Sequence, residues 1–593
     1  MFLWRAFPLY LETINAPADI RDYTAEQRRI LAREMREALI ERTSLVGGHI
    51  GPNLGIIEAT IALHTVFDSP RDKIVFDVSH QCYPHKMLTG RVGAYTRAAE
   101  YHDVSGFTNT DESEHDLFNI GHTSTGISLA AGLAKARNLA GGTENVVVVI
   151  GDGAMSGGEA LEGLNVIGEM GTNFIIVFND NDQSISENHG GMYAKFKEMR
   201  ETNGQAEDNL FRALGLRYRY VADGHDTEEL IRVLSEEKDS TSPIVIHIHT
   251  TKGKGLSFAE NDPEGWHRHA PFHVETGIAK NESHPDPYAV ATVDFVLEAA
   301  RKNPNFVYLS AGIVGGINLS PAERAELGSQ YVDVGIAEEH AVAMASGLAK
   351  AGARPIFGTY STFFQRTYDQ MSQDVAINRN PAVFLATGTS LYRSTDVTHL
   401  GFYDISIFSN IPNLVHLAPT SVAEHIAVLR WAVEQTEHPV MVRMPFTGYV
   451  ESPYPVRTDY SALNKSIVVT EGRDVALIGV GNFAALASEA AEELAREGIN
   501  ATVINPLYLS GLDEELLDSL REKHSLILTV EDGILAGGFG QKVASFYART
   551  GDVRVLTYGL PKAFFNRYNP DELARRYHLT APQIAADVLR ELA

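Results

Sequence analysis

The sequence predicts an α/β protein of three consecutive doubly wound domains, on three observations. Short β-branched runs alternate with helix-length stretches along most of the 593 residues, the pattern of parallel sheets covered by helices. Two polar stretches containing prolines, Asn281–Tyr288 and Ser452–Arg457, interrupt the alternation as linkers. Glycine- and carboxylate-bearing turns follow two of the apolar runs, at the strand ends where open α/β sheets bind ligands.

In chain order, the first domain, residues 1–285, has strand candidates Ile74–Val78, Val146–Ile150, Phe174–Phe178 and Ile244–Ile248. The second, 286–455, has Phe306–Ser310, Ala353–Tyr360, Ala382–Ala386 and Leu414–Ala418. The third, 456–593, alternates Val475–Val480, Ala501–Ile504 and Leu526–Val530 with helix-like Ala484–Glu497 and Asp513–Lys523, and closes on a helix-like tail, Ala581–Leu592.

Composition narrows the functional classes. With 44% hydrophobic residues and no run of eighteen apolar ones, nothing in the sequence reads as a membrane span. A formal net charge of −26 argues against a nucleic-acid or anionic-membrane partner, since both need a basic face. Met1-Phe2-Leu3-Trp4 is apolar, but Arg5, Pro8 and Glu12 follow without a small-residue cleavage site, so cytoplasmic residence is expected. The single cysteine, Cys82, has no disulfide partner within the chain and reads as a small buried residue.

The chemistry concentrates at Gly151-Asp152-Gly153, after Val146–Ile150, and Asn179-Asp180-Asn181, after Phe174–Phe178. Two parallel strands separated by one helix would set Asp152 and Asn181 side by side at their carboxyl ends. One carboxylate, one amide oxygen and a nearby carbonyl suit Mg²⁺ carrying phosphate oxygens, and glycine lets backbone approach those phosphates. Alone, Gly-Asp-Gly is a tight turn after a buried strand. Followed about thirty residues later by Asn-Asp-Asn, it resembles the thiamine-diphosphate signature.

Over nearly its whole length the chain resembles the 1-deoxy-D-xylulose-5-phosphate synthase family of the transketolase superfamily. The resemblance is carried by LETINAPADI from Leu11, Gly48-His49, Leu54-Gly55, DVSHQCYPHK from Asp77, ESEHD from Glu112, GHTST from Gly121, NDNDQSISEN from Asn179, DGHD from Asp223, DVGIAEEH from Asp333 and YSTFFQRTYDQ from Tyr360. It implies three transketolase-type domains for diphosphate, for pyrimidine and for the C-terminal fold. It also implies a homodimer, thiamine diphosphate and Mg²⁺, with pyruvate and an aldehyde as substrates and a place in isoprenoid biosynthesis.

Residue by residue, the resemblance implies Mg²⁺ on Asp152, Asn181 and the carbonyl of Gln183. Glu338, within Ala337-Glu338-Glu339-His340, would hydrogen-bond the aminopyrimidine and so activate the cofactor. Phe363 would pack on the aminopyrimidine and Ile185 under the thiazolium, while His80, His122, Gly153, Ala154 and Lys252 complete the cofactor set. His49, His80 and His399 would act on substrate oxygens. Tyr360, Arg366 and Arg393 join His49 and His399 on the substrate side. Which of His267 and His269 points inward is left open.

The acceptor half departs from the family. Its phosphate-binding arginines stand in Asp-Arg-Ala-Gly and Tyr-Pro-Arg-Gly runs, where this chain has Thr387-Gly388-Thr389-Ser390 and Met444-Pro445-Phe446-Thr447. Charged hydrogen bonds contribute roughly 1.5–3 kcal/mol each, so losing two without compensation would weaken phosphate binding by about 10²–10⁴-fold. Arg393, in the same loop, is the candidate for compensation. The segment Gly190–Asn209 is also shorter than the family's, and Asn53 stands where Gly or Ser is common.

The leading reading is therefore a carboligase that decarboxylates pyruvate and joins the two-carbon unit to an aldehyde, D-glyceraldehyde 3-phosphate in the family. A paralogue using another aldehyde, transketolase-type transfer from a ketose and a 2-oxoacid dehydrogenase subunit are the alternatives. A non-catalytic cofactor-binding protein predicts damage at Glu338 or Asp152, and both are present.

Overall fold

Valine- and isoleucine-rich runs form three sheets in the computed structural model, which describes residues 10–281, 286–313, 316–444, 446, 448–449 and 451–593. The N-terminal residues 1–9, linker residues 282–285, and Pro445 and Thr447 of the departing run lie outside the described residues.

The first sheet contains β1 (Lys73–Phe76), β2 (Val146–Gly151), β3 (Ile175–Asp180), β4 (Arg217–Val221) and β5 (Ile244–His249). Their order is β1-β2-β3-β5-β4, every pairing parallel. The second holds β6 (Phe306–Ser310), β7 (Tyr331–Asp333), β8 (Arg354–Tyr360), β9 (Val383–Thr387), β10 (Val415–Leu417) and β11 (Val440–Arg443), again all parallel, in the order β10-β11-β9-β8-β6-β7. The third comprises β12 (Ile467–Thr470), β13 (Val475–Gly479), β14 (Ala501–Asn505), β15 (Leu526–Ile534) and β16 (Arg554–Leu560), in the order β12-β14-β13-β15-β16.

That third sheet is mixed, because its edge strand β12 runs antiparallel to β14. β1 ends two residues earlier than the sequence suggests: Val78 and Ser79 turn the chain out of the sheet at φ of 58° and 63°. The strands that alternation did not reveal are mostly edges with charged or tyrosine-rich sequences, such as Arg-Tyr-Arg-Tyr-Val in β4.

The described residues form two compact units. The first takes residues up to 281 together with Gly335–Ala337, and the second takes 286–334 and 338 onward, so the second and third sheets share one unit. Along β2 the side chains alternate between two cores, as strand geometry demands. Val146, Val148 and Ile150 pack with residues of the helices Gly126–Ala140 and Gly158–Met170. Val147 and Val149 pack on the other face, with Leu63 of the helix Ile57–Val66 and Leu230, Val233 and Leu234 of the helix Thr227–Glu237. A strand buried on both faces reads as an unbroken apolar run, which is why β2 was visible in the sequence.

The first unit also buries a charged network. His64 Nε2 meets His85 Nδ1 at 2.9 Å, and His85 Nε2 meets Asp116 Oδ1 at 3.0 Å. Arg91 forks onto both Asp116 oxygens at 2.6 and 2.8 Å, while Lys86 reaches Glu112 at 2.5 Å. Burial lowers the pKa of both imidazoles, so neither carries charge near neutrality. The carboxylates also accept from backbone N–H groups, Asp116 from Asn109 at 2.8 Å and Glu112 from Ser105 at 2.6 Å, which folds residues 105–116 into a fixed loop.

Arg91→Met would leave Asp116 buried without its cation. Breaking a buried pair from one side costs about 3–5 kcal/mol, so the variant should unfold at a clearly lower urea concentration, read by circular dichroism.

Candidate active site

In the first unit the site begins where β2 and β3 end. Their register pairs Gly151 with Asn179, so the next residues of both strands stand at one sheet edge. The buried Asp152 carboxylate accepts from Gly153 N–H at 2.8 Å, from Gln183 N–H at 3.0 Å and from Asn188 Nδ2 at 3.1 Å. It thereby ties the loop after β3 to the end of β2. Burial, with Asp180 adding to it, pushes its pKa up, the signature of a carboxylate short of positive charge.

Asn181 Oδ1 is buried and without a hydrogen-bond partner among the described residues. A buried amide oxygen left unbonded is costly, and beside an under-neutralised carboxylate it fits a hard cation. Gln183 is part-buried in the same loop and sends Nε2 to the Ile185 carbonyl at 3.2 Å. Gly153 has no room for a side chain, because a Cβ there would lie 2.7 Å from Ser184 Cβ. Ala154 is buried, and its carbonyl accepts from Ser124 Oγ at 2.8 Å.

Groups behind the turn hold it in place. Asp180 accepts from His247 Nε2 at 2.8 Å and from Arg200 at 2.6 Å, and Tyr218 OH meets His247 Nδ1 at 2.7 Å. Arg200 also pairs with Asp182 at 2.9 Å. It lies on the helix Gly191–Glu201, inside the shortened segment, so that segment still clamps the turn. Lys252 is buried and donates to the Ser184 carbonyl, and burial lowers its pKa to about 8 against the pull of Asp152.

Three histidines gather in this unit. Ring centroids lie 5.4 Å apart for His49 and His80, 5.0 Å for His80 and His267, and 5.7 Å for His49 and His267. Gly48 exchanges both backbone hydrogen bonds with His269 at 3.0 Å, and this bridge sets the facing of 267 and 269. His267 is thus the inward ring, with its Nδ1 buried and its pKa held well below 6.5 by burial. His269 instead stacks on Trp266 at 4.1 Å. His122 is part-buried in a loop fixed by Asp77, which accepts from Ser124 N–H at 2.9 Å and Gly126 N–H at 2.7 Å.

Asn53 has a role its sequence did not disclose. Its fully buried amide donates to the carbonyls of His49 at 2.6 Å and His80 at 2.7 Å, and accepts from Tyr83 N–H at 2.8 Å. One side chain therefore sets the spacing of the two histidine backbones. A Gly or Ser at this position could not make all three bonds.

In the second unit, Glu338 opens the helix Glu338–Lys350 and is buried. Burial raises its pKa while Arg366 opposes the rise, with Arg366 Nη1 3.3 Å from Glu338 Oε2. Arg366, expected on the substrate side, is thus drawn to the glutamate. Phe363 stands 5.8 Å from Tyr360 and 5.6 Å from His399, centroid to centroid. Tyr360 is 38% exposed, and His399 Nδ1 meets Thr398 Oγ1 at 2.8 Å. Arg393 pairs with Asp286 at 3.0 Å and lies over the Phe446 ring at 4.4 Å.

Three family models together match most of the chain. The family model described as 1-deoxy-D-xylulose-5-phosphate synthase matches residues 11–207 and 194–250. Those for the transketolase pyrimidine binding domain and the transketolase C-terminal domain match 288–449 and 464–584. The 1-deoxy-D-xylulose-5-phosphate synthase of Heliobacterium modesticaldum is 38% identical over 98% of this chain and 95% of its own length. That of Symbiobacterium thermophilum is 38% identical over 97% and 94%. The solved transketolase of Campylobacter jejuni is 18% identical over 94% of this chain and 98% of that chain, at a TM-score of 0.43.

Asn53→Ala would strip two buried carbonyls and one N–H of their partner, each costing roughly 1–3 kcal/mol. A lowered melting temperature by calorimetry is expected. Asn53→Ser should recover at most part of the loss.

Proposed function

This chain belongs to the 1-deoxy-D-xylulose-5-phosphate synthase family, and from that membership we propose how its own residues serve the family's reaction. The family consists of thiamine-diphosphate-dependent transferases of the transketolase class that decarboxylate pyruvate and join the two-carbon unit to an aldehyde. This chain is such a carboligase, with D-glyceraldehyde 3-phosphate as the family acceptor. A different aldehyde or a ketose donor finds no support in the full-length relatives, which carry the synthase name.

The observation that carries the cofactor reading is the buried, unbonded Asn181 Oδ1 beside the under-neutralised Asp152 carboxylate. Mg²⁺ on these two and on the Gln183 carbonyl would satisfy both. Gly153 and Ala154 would admit the diphosphate to the backbone, with Lys252, His80 and His122 around it and Ile185 beneath the thiazolium. When bound, thiamine diphosphate supplies the carbanion chemistry.

Glu338 would hold a proton against the aminopyrimidine, since burial favours its protonated form at a higher pH than a free glutamate. Phe363 would pack on the same ring. His49, His80, His267 and His399 would bond substrate oxygens, and the low pKa of His267 keeps that ring neutral, able to give or take one hydrogen bond. Tyr360 and Arg393 complete the substrate side, and Arg366 steadies Glu338. We also infer a homodimer in the cytoplasm and domain limits of 1–285, 286–455 and 456–593; no described helix is long and apolar enough to cross a membrane.

The test supplies 1-¹³C-pyruvate with D-glyceraldehyde 3-phosphate. Labelled CO₂ accompanied by a deoxypentulose phosphate is expected, and turnover of ketose donors without CO₂ would overturn the reading. Glu338→Gln should lower product formation by about 10²-fold or more. Asp180→Asn, which disturbs the support behind the Asn181 turn, should raise the Mg²⁺ needed for half-maximal cofactor binding roughly 10–100-fold, read by protein fluorescence.

A further inference from the structure

Both positions where the family carries a phosphate-binding arginine are filled here in ways that exclude one. Gly388 has a φ of 65°, and a Cβ on it would stand 3.1 Å from the Tyr360 ring, so no long side chain starts there without displacing that ring. Phe446 takes the second position. Arg443, three residues earlier, is no substitute: it is buried between Asp404 at 2.7 Å and Asp532 at 2.6 Å.

Arg393 is held differently. Its guanidinium carbon lies 4.4 Å from the Phe446 centroid, and one terminal nitrogen bonds Asp286 Oδ2 at 3.0 Å, while the side chain remains 31% exposed. The ion pair employs one nitrogen of a planar fork that has five N–H donors. Its loop is fastened too: Tyr568 OH donates to the carbonyls of Leu391 at 2.7 Å and Ser394 at 3.1 Å, and Arg567 N–H donates to Thr395 at 2.6 Å. Phe446 is fastened in turn, its N–H donating to Asn482 Oδ1 at 3.2 Å, with Asn482 bonded to Asp532 at 3.1 Å. Asp286 is fixed as the N-cap of the helix Pro287–Lys302, accepting from Tyr288 N–H at 2.9 Å. The loop after β9 carries Arg393 and also His399, which stands against Phe363.

We propose that Phe446 and Asp286 are positioning residues that hold Arg393 as the group recognising the phosphate monoester of the acceptor aldehyde, in place of the family's two arginines. The inference rests on the carboligase reading above. An aromatic shelf orients the guanidinium plane and a carboxylate fixes its rotation. Less side-chain freedom is then lost on binding, so one pre-set fork offsets part of the loss of two.

The experiment measures kcat/KM for D-glyceraldehyde 3-phosphate and for unphosphorylated D-glyceraldehyde, each with saturating pyruvate, in the wild type, Arg393→Met, Phe446→Ala, Phe446→Trp and Asp286→Asn. The readout is the ratio of the two values, which a general folding defect does not move. Wild type should favour the phosphorylated aldehyde. Arg393→Met should lower the ratio roughly 10–100-fold, as loss of a charged hydrogen bond predicts. Phe446→Ala and Asp286→Asn should lower it less, through KM, and Phe446→Trp should retain it. A wild-type ratio near one would sink the acceptor reading and this inference together. A clear wild-type preference that survives Arg393→Met or Phe446→Ala would overturn the inference alone.

Discussion

The first unit depends on carboxylates buried at the carboxyl ends of parallel strands and neutralised by the backbone of neighbouring loops. Asp77 follows β1 and binds the N–H groups of Ser124 and Gly126. Asp152 follows β2 and binds Gln183 N–H and Asn188. Asp180 closes β3 and binds Asp182 N–H, His247 and Arg200. A charge at such an edge cannot remain buried unless donors surround it. Each aspartate therefore dictates the path of a loop, and those loops carry His122, Asn181 and Gln183. Asp152 is pushed up in pKa by burial and by Asp180, and Asn181 Oδ1 in the loop it holds is unbonded among the described residues.

How much of this was legible follows from the range of the interactions. β2 and β3 could be read because both faces of each strand are buried, which leaves uninterrupted valine and isoleucine. The Gly-Asp-Gly and Asn-Asp-Asn turns could be read because each directly follows an apolar run, at the end of β2 and of β3. Contacts between residues far apart in the chain left no such trace. The amide of Asn53 joins residues 49, 80 and 83, and Asp180 collects groups from positions 200 and 247. The inward facing of His267 is set by the bridge of His269 to Gly48, some 220 residues earlier. A strand signal in the sequence around Gly48 could not have announced it, because the bridge is isolated. β12 escaped notice because it is a four-residue edge strand, Ile-Val-Val-Thr, too short to show an alternation.

The two halves of the chemistry differ in how freely they can change. Replacing Asp152 or Asp180 would unfasten a loop, because their oxygens hold backbone N–H groups of the fold. In the reading proposed above, selection for stability and for cofactor binding would act on the same oxygens of Asp152. The acceptor-side residues are of another kind. Gly388, Arg393 and Phe446 lie in loops beyond β9 and β11, and the bonds that fasten those loops, from Tyr568 and Asn482, are made to backbone atoms.

A side chain there can be exchanged while the loop keeps its path. The loss of an arginine at 388 can therefore be followed by packing of Tyr360 against the glycine, and the loss at 446 by a ring that supports a guanidinium from the facing loop. A guanidinium that stacks on an aromatic ring and bonds a carboxylate keeps donors available to a third group, since its five N–H groups radiate within one plane. Lysine at 393 would lack both the flat face and the fork. Recognition of the acceptor can thus pass between positions on these two loops without touching the carboxylates that hold the first unit together.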